Sequence, residues 1–162
     1  MLFAAFTSAL VVRKGMSLDW VSIALPRILW VNTGVLILSS ITLDLSKRSL
    51  ARGAAENFTR WLSATVVLGL GFLCGQYVAW RELASRGVYL ATNPSSSFFY
   101  LLTAAHGLHL LGGVTALAYV VFRAGRMARG RSQRTPLDVT AIYWHFMDAL
   151  WIYLFFLLLR WA

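Results

Sequence analysis

The sequence predicts an all-α integral membrane protein, a bundle of five transmembrane helices whose first helix is apparently truncated at its N-terminal end. Three observations carry that expectation. The 162 residues are 59% hydrophobic and only 13% charged, about half the charged share of a soluble globular domain. The charges are clustered, so that long apolar runs alternate with short polar connections. Finally, the apolar runs number five, enough for one domain spanning residues 1–162 and no more.

The first run, Met1 to Val12, stops at Arg13-Lys14-Gly15. Twelve helical residues rise only about 18 Å against a hydrocarbon core of roughly 30 Å. Either this helix is half-inserted or residues precede Met1, and the second is the preferred expectation; the opening Met1-Leu2-Phe3-Ala4-Ala5-Phe6 lacks the basic flank and cleavage site of a signal peptide. The second span covers about 26–45 and begins at Pro26, a residue suited to a first helical turn because its missing N–H costs nothing there. Asn32, Thr33, Ser39 and Ser40 recur on it at spacing seven, a polar stripe of the kind that joins helices in lipid.

The third span, about 60–80, carries Gly71, Gly75 and Ala79 at four-residue spacing, which predicts a small-residue ridge for close helix packing. The fourth span, about 97–122, follows Asn93-Pro94-Ser95-Ser96-Ser97, where serines can cap its start. Gly112 and Gly113 on this span are further expected packing positions. The fifth, about 139–161, opens on Thr135-Pro136-Leu137-Asp138, a capping-box-like start with Pro at the first helical position. Trp61, Trp80 and Trp161 fall near span ends, as interfacial anchors do.

A net charge of +9 and a pI near 10.6 would suggest nucleic acid in a soluble protein. Here the basic residues lie in connections beside apolar spans, where a cytoplasmic excess and anionic lipid explain them, and nucleic-acid binding is not expected. Nine Lys and Arg lie on the side of the N-terminus and six on the opposite side. The richer side is read as cytoplasmic, which places the C-terminus outside. The single cysteine, Cys74, allows no internal disulfide and no cysteine-based metal site.

All three histidines lie within spans: His106 and His109 on the fourth, His145 on the fifth, with Asp148 three residues later. Ionisable groups at membrane depth are costly and need a reason. A metal or haem site is one, since His106, His109 and His145 offer nitrogen ligands, but the Glu-x-x-His pairs of a di-iron bundle are missing. A proton relay through His145 and Asp148 is another. The third is a buried hydrogen-bond network of His106, His109, His145, Asp148, Asn32 and Ser39 that locks the bundle, with no catalytic role. The residue pattern favours this structural reading, and no Ser/His/Asp set faces water for nucleophilic chemistry.

Two segments are more specific. Ser96-Ser97-Phe98-Phe99-Tyr100-Leu101-Leu102-Thr103-Ala104-Ala105-His106-Gly107-Leu108-His109, closing on Gly112-Gly113, resembles the penultimate helix of haem-copper oxidase subunit III. Tyr143-Trp144-His145-Phe146-Met147-Asp148-x-x-Trp151 resembles that family's last helix. Leu25-Pro26 with Asn32-Thr33 and Ser39-Ser40-x-Thr42 agrees in order, as does Gln76 with Trp80-Arg81-Glu82-Leu83. The resemblance covers essentially the whole chain and is to the short, five-helix bacterial form. It implies a subunit with no haem or copper of its own, the metals lying in partner subunits. It also implies packing on subunit I near subunit II, bound phospholipids, and a part in proton-pumping aerobic respiration from cytochrome c to oxygen. The membrane would be the bacterial inner membrane. Subunit III of a quinol oxidase and a related accessory protein of nitric oxide reduction share the pattern. The family's buried glutamate, in a Glu-x-Met-x-Phe setting, would fall two positions before Met1, which agrees with the expected missing residues.

Overall fold

A computed structural model describes residues 2–16, 25–127 and 135–161. Those residues form α1 (Leu2–Met16), α2 (Ile28–Ala51), α3 (Ala55–Ser85), α4 (Pro94–Met127) and α5 (Thr135–Trp161), and no strand occurs among them. Four of the helices are long and apolar enough to cross a membrane. At 1.5 Å per residue, the 24 residues of α2 reach about 36 Å and the 31 of α3 about 46 Å. Both exceed a hydrocarbon core of roughly 30 Å. The 15 residues of α1 reach only about 22 Å, so α1 is shorter than a full crossing.

Each long helix runs past the span expected from hydropathy at one end or both. α3 begins at Ala55 and ends at Ser85, against an expected 60–80. Hydropathy marks where lipid tails lie, whereas backbone hydrogen bonding continues into the headgroup layer.

Each long helix buries one stripe. On α2 it runs Leu29, Asn32, Leu36, Ser39, Leu43, Ser46, Leu50. On α3 it runs Phe58, Leu62, Thr65, Gly69, Phe72, Gln76, Ala79, Leu83. The steps alternate three and four, an average period of 3.5, which is the seam of left-handed, coiled-coil-like packing. The opposite faces are apolar and exposed: Val31, Ile37, Leu38 and Ile41 on α2, Val67, Leu70, Tyr77 and Val78 on α3, Val139, Ile142, Phe146 and Phe156 on α5. A chain apolar outside as well as inside is built for lipid or for membrane partners.

The long helices form a ring, α2 on α3, α3 on α4, α4 on α5 and α5 back on α2, while α1 lies outside against α4. Two turns set the ring's corners. After α2, Gly53 has φ +75°, with Gly53 N–H donating to Leu50 O and Ala54 N–H to Ser49 O. After α3, Gly87 has φ +76°, with Gly87 N–H donating to Ala84 O and Val88 N–H to Leu83 O. Both are Schellman caps, in which the left-handed position suits glycine.

The start of α4 differs from expectation. Helix begins at Pro94, and Asn93 is the cap: Ser96 N–H donates to Asn93 Oδ1 at 2.9 Å and Asn93 N–H to Ser96 Oγ at 3.2 Å. The serine fills the role of the reciprocal partner rather than of the cap itself. At the start of α5, Asp138 lies 3.2 Å from Lys47 Nζ on α2. Trp80, expected as an interfacial anchor, is half-buried and donates from Nε1 to Thr103 Oγ1 at 3.1 Å. The expected Trp161 anchor and the basic residues Arg129, Arg131 and Arg134 lie outside the described side chains.

Candidate functional site

The small residues set how closely the helices approach. A Cβ at Gly75 would lie 2.0 Å from Asn32 Oδ1, so the Asn32 amide is wedged against the α3 backbone. At Gly69 it would lie 2.7 Å from Trp144 Cη2, and at Gly113 3.1 Å from Trp144 Cε3. Gly71 and Gly112, expected as packing positions, have nothing within 4 Å of such a Cβ and face outward. The correction is geometric. Four residues turn a helix about 400°, so each step along 71, 75 and 79 drifts about 40°. When Ala79 is fully buried, Gly71 has rotated out of the contact. Neighbours such as Gly112 and Gly113 point about 100° apart, and only Gly113 meets α5.

Aromatic donors tie the ring together. Trp144 Nε1 donates to Ser39 Oγ at 3.0 Å, and Trp151 Nε1 to Thr33 Oγ1 at 3.1 Å, both across the α2–α5 seam. Tyr143 Oη donates to His109 O at 2.9 Å between α5 and α4. Thr42 and Thr65 hydroxyls lie 2.8 Å apart between α2 and α3. On the outer side, Tyr153 Oη reaches Thr7 Oγ1 of α1 at 3.1 Å. The indole donors of Trp144 and Trp151 were not singled out from sequence. A signal was present: each tryptophan is seven residues from the other on α5, and Ser39 and Thr33 are nearly so on α2.

The expected polar residues divide into two groups. Asn32, Ser39, His106 and Asp148 are buried, while His109 and His145 are only half-buried. His145 turns toward α2, with Nδ1 2.6 Å from Ser40 Oγ and Nε2 3.3 Å from Asp44 Oδ1. A neutral ring carrying its proton on Nε2 donates to Asp44 and accepts from Ser40. One ring nitrogen of His109 is met by its own helix, Nδ1 lying 2.8 Å from Ala105 O, and the ring meets Phe3 of α1 edge-on at 5.5 Å. His106 is fully enclosed, its ring centroid 5.0 Å from Trp151 and 5.8 Å from Phe72. The three histidines therefore address three different neighbours, and the six polar residues are not joined by direct hydrogen bonds into one network. His145 does not bond Asp148, as the expected pairing would require. Gln76, buried on α3, joins the interior set without having been assigned there.

No three His, Cys, Asp or Glu side chains converge as a metal site among the described residues, and Cys74 faces outward. Fold and site thus define a polytopic α-helical membrane protein with a largely uncharged interior. The family is settled by comparison: the model of "Cytochrome c oxidase subunit III" matches residues 1–162, and the chain belongs to that family. Among its relatives, a "Probable cytochrome c oxidase subunit 3" of Mycobacterium tuberculosis is 38% identical over 76% of this chain and 61% of the relative. A "Cytochrome c oxidase subunit 3" of Corynebacterium diphtheriae is 34% identical over 77% and 61% respectively. Another, from Thermostichus vulcanus, is 31% identical over 98% of this chain and 79% of the relative. The matches to the mycobacterial and corynebacterial relatives span about three-fifths of their length.

Proposed function

We propose that the chain is the accessory third subunit of a terminal respiratory oxidase that takes electrons from cytochrome c to oxygen and pumps protons. In this reading it holds no haem or copper, and the metals belong to partner subunits. It forms a single five-helix transmembrane domain that packs on subunit I, with subunit II in the same complex and phospholipid against its apolar faces. The membrane is the bacterial inner membrane, with the N-terminus cytoplasmic and the C-terminus periplasmic. His106, His109, His145, Asp148, Asn32 and Ser39 serve the packing of the bundle rather than chemistry.

The observation that carries this reading is the family match along all 162 residues. The outward apolar faces support it, because they suit a partner within the membrane. The three divergent histidines also support a chain without its own metal. The relatives' names favour cytochrome c over quinol as donor.

Purification of the tagged chain from native membranes in mild detergent tests the proposal. Co-elution with a larger haem-bearing membrane subunit is expected, together with an isolated chain that shows no Soret band and no stoichiometric iron, copper or zinc. A stable, exclusive homo-oligomer, or about one metal per chain lost on His106→Ala, would refute it.

A further inference from the structure

We propose that Asn32, Gln76 and His106 enclose an internal hydration site, in which bound water bridges α2, α3 and α4. Each lies on a different helix of the ring, and each is at least nine-tenths buried. Five of their nitrogen and oxygen atoms have no hydrogen-bond partner within the protein: Asn32 Nδ2, both amide atoms of Gln76 and both ring nitrogens of His106.

The contacts place them within about one turn of the same level. Trp151 stacks near His106 and bonds Thr33, the neighbour of Asn32. Asn32 abuts Gly75, the neighbour of Gln76.

Buried polar groups in folded proteins are nearly always satisfied, and the usual agents for isolated ones are enclosed waters making about three hydrogen bonds each. Direct pairing is obstructed because each side chain is already fixed. Asn32 is wedged at Gly75, and His106 lies between Phe72 and Trp151. The Trp151 donor is committed to Thr33. Water is small enough to complete such a set without moving the rings. The site is internal to the bundle and does not depend on which partner the chain has.

The test is a structure of the native membrane complex at a resolution that shows ordered water. At least one water is expected about 3 Å from a His106 ring nitrogen and from a polar atom of a second helix. Side chains bonded directly to one another, with no water between them, would overturn the proposal. Thermal retention of the chain in its complex supplies a second reading. His106→Phe and Gln76→Leu share a bridge, so the double variant should lose less than the two single losses combined; strictly additive losses would contradict it. Purification with a partner other than an oxidase would refute the function proposed above and leave both readings of the hydration site intact.

Discussion

Along the α2–α5 seam, Trp144, Trp151 and His145 each reach a hydroxyl on α2. In the interior beside it, Asn32, Gln76 and His106 leave polar atoms that meet none inside the protein. Both regions are built from polar side chains on apolar helices, and the difference lies in what a helix can complete for itself. Ser39 donates to Leu36 O at 2.7 Å and still accepts from Trp144. An indole has one donor and nothing to accept with, so a tryptophan meeting a serine or threonine leaves little unpaired. A histidine or carboxyl has more to satisfy. His109 gains one bond from its own carbonyl at Ala105, and His106 has no such bond. Seams in lipid are therefore cheaply closed by Trp–hydroxyl pairs, whereas an interior ionisable group needs further help.

The sharpest way to break this contrast is to remove the seam's central ring. Trp144 is fully buried, and Trp144→Ala should cost about 3–5 kcal/mol. Trp144→Phe keeps most of the volume and loses the bond to Ser39, so its additional cost for that bond is about 0.5–1.5 kcal/mol. Thermal loss of helical signal in detergent measures both, and equal losses would show that the bond rather than packing holds the seam.

The close approaches come next. Gly69→Leu would drive a side chain into Trp144, at about 1–3 kcal/mol, whereas Gly71→Leu adds apolar surface facing outward and should leave the bundle's own stability nearly unchanged. The same thermal assay on the isolated chain ranks them, and a Gly71 variant as unstable as the Gly69 variant would contradict the facing described here.

Smallest is the surface pair Lys47–Asp138, with both side chains at least a third exposed. Asp138→Asn should cost no more than about 1 kcal/mol, falling further in high salt.

The comparison also explains what was legible in the sequence. Four long helices followed directly from apolar length, and most of their ends lie beyond the expected spans because helical hydrogen bonding outlasts the hydrocarbon. Ser39, His106 and Asp148 were legible as interior because polar atoms inside apolar runs require partners. Their actual partners were not legible, since spacing fixes which residues share a face but not which helix that face meets. His145 shares a span with Asp148 yet turns to Asp44 and Ser40. The Gly71–Gly75–Ala79 ridge failed in part for the same reason: the four-residue spacing fixes the ridge, not its rotation against a neighbour. Gln76 was read only as part of the family resemblance, because a single amide on α3 has no second polar residue at helical spacing to mark a stripe.

The central claim is that the buried polar groups of this chain serve structure within an oxidase whose chemistry lies elsewhere. Asp148 tests it most directly, through turnover and subunit content of two variants measured side by side. Asp148→Leu should strand polar partners, at roughly 1–3 kcal/mol, and loosen the chain from its complex. Asp148→Asn keeps size and hydrogen bonding without a charge, and should assemble fully with oxygen reduction near normal. A fully assembled Asp148→Asn complex with severely reduced turnover would contradict the account and make Asp148 a carrier of protons.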